Sequence, residues 1–213
     1  MEPLVVIGGG GHAKVVIELL EDSGAFEIAG CIASGGPESV LGVPVLGDDS
    51  CLARQYAAGI RKAFVAVGDN SLRRRLSKMV ADLGFQLVNA VSPRATVSRR
   101  AELRSGIAIM AGAVINSCSR IGSGCIVNTG AVVDHDCLIA DWAHVAPGSS
   151  LAGNVSIGEG AFLGVGTRVI PHISIGAWAT VGAGAVVIRD VPSGATAVGV
   201  PAKIIASRSH RKA

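Results

Sequence analysis

From Val91 to Val187 every sixth residue is Ile, Leu or Val, without a break. The series runs Val97, Leu103, Ile109, Ile115, Ile121, Val127, Val133, Ile139, Val145, Leu151, Ile157, Leu163, Val169, Ile175 and Val181. Four places after each aliphatic sits mostly a small residue, as at Ala113, Ser119, Cys125, Ala131, Cys137, Ala143, Ser149, Ala161, Thr167 and Ala185, often preceded by glycine. A helix repeats at 3.6 residues and a flat sheet at 2, so neither produces six. A three-sided solenoid does: each hexad supplies one short strand and one corner, with the aliphatic pointing inward and the small residue behind the turn. Three hexads close one 18-residue coil, so residues 91–192 give between five and six coils. Stacked at the strand-pairing distance, they make a prism roughly 25–30 Å long. No hexad is interrupted, which predicts that no large loop leaves a corner.

Residues 1–88 carry a different pattern, strands alternating with helices, which implies a parallel sheet with crossover helices. Strands are expected at Leu4–Ile7, Glu27–Ile32, Ala63–Val67 and Phe85–Val88. Val43–Leu46 reads as an edge strand because Pro44 lacks an N–H. Helices are expected over Ala13–Leu20, from an N-cap at Asp49 to about Ala58, and over Ser71–Leu83. The expected division is therefore an α/β mononucleotide-binding (Rossmann-like) domain at 1–88, a parallel β-helix at 89–205, and a disordered tail at 206–213.

Composition narrows the function. The chain is 49% hydrophobic but only 3% aromatic, which suits a core of stacked small aliphatics. A net charge of +3 on scattered Lys and Arg argues against a nucleic-acid partner. No apolar run approaches the roughly 18 residues that span a bilayer, so no membrane association is expected. The apolar Leu4–Gly8 start gives way at once to glycines and His12, unlike a secretory signal. Five cysteines, odd in number and without a CxxC pair, fit a reduced cytoplasmic protein.

One stretch of the repeat is polar. Between Asn128 and Gly148 lie His135, His144, Asp134, Asp136 and Asp141. His titrates nearest neutrality, and an adjacent carboxylate, Asp136 or Asp134, can fix its tautomer and raise its basicity. His135 and His144 are nine residues, half a coil, apart. They therefore belong to different faces of one prism and meet only across an interface between copies. Gly153 lies 18 residues after His135, one coil along the same face, so its N–H is placed to meet a developing oxyanion. Cys137 falls at a small corner position, which leaves no nucleophile for an acyl-enzyme. No metal is expected, because the histidines lack a ligand spacing such as His-x-x-x-His. His172, after Pro171, reads as structural, and His210 falls in the tail.

At the other end, Gly8-Gly9-Gly10-Gly11-His12-Ala13 satisfies G-x-G-x-x-A between a strand and a helix. A redox dinucleotide also needs an acid about 20 residues on to hold the ribose. That place reads Cys31-Ile32-Ala33-Ser34-Gly35-Gly36, with no acid, so a single mononucleotide unit with a diphosphate at the helix N-terminus fits better. Gly68-Asp69-Asn70 is placed to close the crevice.

The hexads resemble the left-handed β-helix of the hexapeptide-repeat acyltransferases. Together with GGGGHAKVV, VAVGDNSLRRRL, NTGAVVDHDC, HVAPGSSLAGNVSIG and VGVPAKII they resemble the bacterial nucleotide-aminosugar N-acetyltransferases of the PglD/PerB type over nearly the whole chain. Sialic acid O-acetyltransferases of the NeuD type share much of this pattern. The resemblance implies the left hand, a homotrimer with sites between subunits, acetyl-CoA as co-substrate and a nucleotide sugar as acceptor. It gives His135 the role of general base and Asp136 that of its supporting acid. It places His144 and Gly153 at the acetyl end of acetyl-CoA, and Val165 and Ala183 along the pantetheine groove. Gly10, Gly11, His12 and Gly68 match the diphosphate contact, and Asn128 a substrate contact. Where the family often has two acids this chain has Ala33 and Ser34, which leaves recognition of the base open. The mechanism implied is direct transfer to a sugar amine. Two alternatives stand at this point: O-acetylation of a sugar, and a non-catalytic nucleotide-sugar-binding scaffold.

Overall fold

The computed structural model describes residues 1–207, so the last residues of the expected tail lie outside the described part. The chain forms two compact units, Met1–Pro93 and Arg94 onward.

The first unit is a six-stranded sheet of strands β1 (Glu2–Ile7), β2 (Phe26–Ile32), β3 (Ser39–Val40), β4 (Val43–Gly47), β5 (Lys62–Val65) and β6 (Gln86–Leu87), in the order β3-β4-β2-β1-β5-β6. All neighbours are parallel except the β3–β4 hairpin. Strand β4 is therefore one position in from the edge, contrary to expectation. The two-residue β3 supplies the edge, and Pro44 sits opposite Ser39 in the short hairpin. Helix α1 (Gly11–Ser23) turns Ala13, Val16, Ile17 and Leu20 inward. Helices α2 (Leu52–Ala57) and α3 (Asn70–Asp82) send Leu52, Leu76 and Val80 into a cluster with Val5, Ile7, Ile32 and Val65. Burying each such side chain stabilises the fold by about 1.5–3 kcal/mol. The cap before α2 is Asp48, not Asp49: its Oδ1 accepts from the Ser50 N–H at 3.0 Å and opens a short 3₁₀ turn, Asp49–Cys51. Asp69 caps α3 by accepting from the Leu72 N–H at 2.7 Å.

The second unit is the left-handed parallel β-helix. A two-residue strand recurs every six residues from Thr96–Val97 to Val186–Val187, and each pairs in parallel with the strand one coil away. The first face carries Ile126–Val127, His144–Val145 and Phe162–Leu163. The second carries Val114–Ile115, Val132–Val133 and Ser150–Leu151, and the third Arg120–Ile121, Leu138–Ile139 and Ser156–Ile157. The hexad aliphatics from Ile109 to Val187 are buried. Buried hydroxyls at the small corner positions find carbonyls: Ser149 Oγ donates to Gly164 O at 3.0 Å and Thr167 Oγ1 to the same oxygen at 2.7 Å. No corner carries an inserted loop between Thr96 and Val187. The C-terminal segment extends the first face as Ala195–Val198 and a returning antiparallel strand, Lys203–Ser207.

Candidate functional site

His135 stands at the corner between the second and third faces, two residues beyond the strand Val132–Val133. Its ring is exposed, and Nδ1 lies 2.8 Å from Asp136 Oδ2. Asp136 has φ +58°, a left-handed conformation that strains most side chains and that Asp tolerates better than most. Of the two candidate carboxylates, Asp136 is the one on the ring. Asp134 turns the other way: its Oδ1 accepts from the His135 N–H at 2.8 Å and from Asn116 Nδ2, one coil earlier, at 2.8 Å. Those two hydrogen bonds, the Asn116 one first, hold the Asp134 carboxyl below its ordinary pKa. The His135 pKa is raised, chiefly by the hydrogen bond to Asp136, with smaller contributions from the charges of Asp134 and Asp136. Gly153 lies flush against the ring: a Cβ there would sit 2.5 Å from His135 Cε1 and 2.6 Å from Nε2. The backbones also meet, the Asn154 N–H donating to His135 O at 3.0 Å. Ser119, buried beneath the corner, donates to Asp134 O at 2.6 Å and accepts from the Cys137 N–H at 3.0 Å. Asn116 and Ser119 were not singled out from the sequence. The 18-residue step from Asn116 to Asp134 is the signal that finds the first. The Cys137 thiol donates to Ala152 O, and burial raises its pKa, so it is a packed group rather than a thiolate.

A second group lies at a different corner, between the first and second faces. His144, at the end of a first-face strand, is nearly buried, with Nε2 3.1 Å from Asn128 Nδ2 and its ring edge-on to Phe162 at 5.2 Å. Asn128 is thus brought to His144 and not to His135. Val165 and Ala183 follow on the same corner one coil apart, both exposed and joined by the Gly184 N–H donating to Val165 O at 2.8 Å. Gly130, Gly148, Gly166 and Gly184 run along this corner, and a Cβ on any of them would meet nothing within 4 Å. The corner is therefore open along its length, with no side chain standing over its glycines.

The first unit holds a cleft of about 590 Å³ at the C-terminal ends of β1 and β2. Gly8, Gly9, Gly10, Ala33, Ser34, Gly35 and Gly36 line one part of it, and Asp49, Leu72 and Arg75 the other. Gly8 must be glycine: φ is +131° and a Cβ would lie 2.6 Å from Ala66 O. Gly10 precedes Gly11 at the start of α1 without a side-chain cap and with no acid in the first turn, so the first amides remain open to an anion. Gly68 and His12 are not among the cleft-lining residues. The Gly68 carbonyl accepts from the buried Arg73 guanidinium at 2.9 Å, and Arg73 also donates to Val67 O and Asn70 Oδ1. Burial, and then the charge of Arg73, lowers the His12 pKa to about 4, so His12 is neutral at pH 7. Its Nε2 is buried with no hydrogen-bond partner among the described residues. Asp49, Arg75 and Arg73 escaped the sequence reading because a helix-cap assignment and a run of three arginines explained them adequately.

Among the described residues, no three His, Cys, Asp or Glu side chains converge as a metal site would require. No helix of the described residues is long and apolar enough to cross a membrane.

Several known proteins are similar to this chain in sequence and fold. Residues 3–80 match the PglD N-terminal domain family. The UDP-N-acetylbacillosamine N-acetyltransferase of Bacillus subtilis is 39% identical over 117 residues. That match spans 52% of this chain and only about half, 52%, of that enzyme's length. The crystal structure of PerB from Caulobacter crescentus, in complex with CoA and GDP-perosamine, superposes with a TM-score of 0.93 at 52% identity, over 97% of this chain and 98% of that one. The acetyltransferase domain of PglB from Neisseria gonorrhoeae, in complex with acetyl coenzyme A, gives 0.91 at 41% identity, over 96% and 99%. A Gly-lined nucleotide-type cleft, a hexapeptide solenoid with an exposed His–Asp pair, and full-length similarity of this degree place the chain in the PglD/PerB-like family of nucleotide-aminosugar N-acetyltransferases.

Proposed function

We propose that this protein transfers an acetyl group from acetyl-CoA to the amine of a nucleotide-linked amino sugar, with His135 as general base. The observation that carries the reading is the placement of the imidazole: Asp136 holds Nδ1 at 2.8 Å while Nε2 faces the Gly153 backbone. With the Nδ1 proton on the Asp136 side, Nε2 keeps its lone pair and accepts the proton of the attacking amine. Asp136 then stabilises the imidazolium; as the tetrahedral adduct collapses the acetyl C–S bond breaks, the imidazolium returns its proton to the departing sulfur, and coenzyme A leaves as the thiol with His135 neutral again. Acetyl-CoA, when bound, supplies the activated thioester. The Gly153 amide is the donor suited to the acetyl carbonyl oxygen as negative charge develops there. The buried Cys137 supports direct transfer rather than an acyl-enzyme.

The two solenoid groups occupy two different corners of one prism, so a complete site draws His135 and Asp136 from one copy and the Asn128–His144–Val165–Ala183 corner from another. A closed ring of three copies satisfies this, each copy giving one corner and receiving the other. The first unit holds the nucleotide sugar, its diphosphate on the Gly9–Gly10 turn and the N-terminus of α1. The full-length similarity to PerB favours a GDP-linked sugar of the perosamine type over a UDP-linked one. The five free cysteines fit the reducing cytoplasm, where acetyl-CoA and nucleotide sugars are made.

The test is incubation of the protein with acetyl-CoA and a panel of GDP-, UDP- and dTDP-linked 4-amino sugars, with mass spectrometry of the products. The expected product is 42 Da (about one acetyl group, replacing hydrogen) heavier and survives hydroxylamine as an amide. An ester cleaved by hydroxylamine, or no acetylation of any of these sugars, rejects the reading.

A further inference from the structure

Two charged side chains of opposite sign, Asp49 and Arg75, line the cleft of the first unit. Neither makes a hydrogen bond or ion pair with any described residue, and they do not pair with each other. The adjacent Asp48 is fully engaged in the cap, accepting from both the N–H and the hydroxyl of Ser50. Much of the remaining wall is glycine and aliphatic carbon, with the hydroxyl of Ser34. A ligand that covers these two charges must replace the water it removes with hydrogen bonds of its own.

The diphosphate of a nucleotide goes to the glycine turn, so the carboxylate must face the donors of the ligand, away from its anionic end. The bases differ sharply in what they offer. Guanine presents N1–H and the N2 amino group side by side, a match for the two oxygens of one carboxylate. On the adjoining edge it presents O6 and N7, a match for a guanidinium fork. Uracil and thymine present one N–H between two carbonyls, so a carboxylate there would gain one donor and face two repelling oxygens. We propose that Asp49 reads the N1–H/N2 edge of guanine and Arg75 its O6/N7 edge, which makes this cleft a guanine-nucleotide site. The inference rests on the reading of the first unit as the nucleotide-sugar half. It assigns recognition of the base to residues on the β4–α2 turn and on α3, in a chain whose β2 end offers Ala33 and Ser34 in place of acids.

Titration calorimetry of the full chain with GDP, IDP, UDP and dTDP tests it, because inosine differs from guanosine only in lacking the N2 amine. GDP is expected to bind about 10- to 100-fold more tightly than IDP, the value of one charge-assisted hydrogen bond. Asp49→Asn should erase that difference, and Arg75→Ala should weaken GDP and IDP alike while leaving UDP unchanged. Equal affinity of the wild type for GDP and IDP, or a preference for UDP, overturns the proposal and leaves the nucleotide-sugar reading standing. A loss in Asp49→Asn that is the same factor for every nucleotide also overturns it, because it would place Asp49 on the ribose. Failure of all four diphosphates to bind a protein that still binds acetyl-CoA removes the nucleotide-sugar reading itself.

Discussion

Two corners of the solenoid share one backbone geometry and use it in opposite ways. Between the first and second faces the left-handed position is glycine from the second coil on: Gly112, Gly130, Gly148, Gly166 and Gly184. Between the second and third faces it is never glycine from the second coil on: Cys118, Asp136, Asn154 and His172 stand there at φ between +58° and +63°. The left-handed conformation disfavours a side chain by roughly 1–2 kcal/mol per residue. The first corner avoids that strain and leaves an open track. The second accepts it and gains side chains at the turn, one of which, Asp136, holds the His135 ring. Small backbone space and side-chain chemistry are thus separated on a single prism, and a site that needs both must join two prisms. The third corner mixes the two uses: Trp142 and Trp178 alternate with Gly124 and Gly160, each indole lying over the glycine of the preceding coil. Trp142 is consequently half-buried within its own chain, and Trp178 and Phe162 are left about 37–38% exposed.

The contrast between corners can be broken most severely at His135. His135→Ala should lower kcat by about 10²- to 10⁴-fold with the fold and assembly retained, since the ring is exposed and supports no core packing. A variant with wild-type turnover would reduce this corner to scaffolding. Asp136→Asn sharpens the assignment through pH. The carboxylate raises the His135 pKa, and the base must be neutral to act, so the rate rises with pH as His135 loses its proton. Removing the charge should move that acidic limb of the kcat profile to lower pH, toward the ordinary His value, while kcat on the plateau falls by about 10-fold because the imidazolium loses its partner. An unmoved limb would mean that the rate does not report His135. The smallest effect is on stability. Gly166→Ala should destabilise by about 1–2 kcal/mol through backbone strain alone, because its Cβ would meet no atom. His172→Gly should leave turnover unchanged and gain up to about 1 kcal/mol, or roughly 2–4 °C in Tm. Thermal unfolding showing both changes near zero would mean that the two corners do not differ in strain.

The solenoid was legible because its rule is arithmetic. One aliphatic every six residues fixes strand, corner and coil, and the 18-residue step places Gly153 on His135 before any coordinates exist. The α/β unit was legible in its order of elements but not in its details. Choosing between Asp48 and Asp49 as the cap requires side-chain geometry, and that choice hid Asp49 from the cleft. Pro44 pointed to an edge strand because a two-residue strand such as β3 leaves almost no sequence signal. The step from His144 to Asn128 is 16 residues, not 18, so their pairing across a turn is invisible to column counting. His12 illustrates another limit: the resemblance matches it to a diphosphate contact, whereas burial first, and the charge of nearby Arg73 second, keep it neutral.

Each complete site is proposed to take its two corners from two copies of the chain, and mixing two inactive variants is the sharpest check. His135→Ala inactivates one corner, and Ala183→Trp obstructs the other at an exposed position. Each variant alone should be nearly inactive. Co-expressed or refolded together, they should assemble some sites with both corners intact and recover a sizeable fraction of wild-type acetylation. A mixture no more active than its two components, or full activity in Ala183→Trp alone, would mean that the two corners do not share a site.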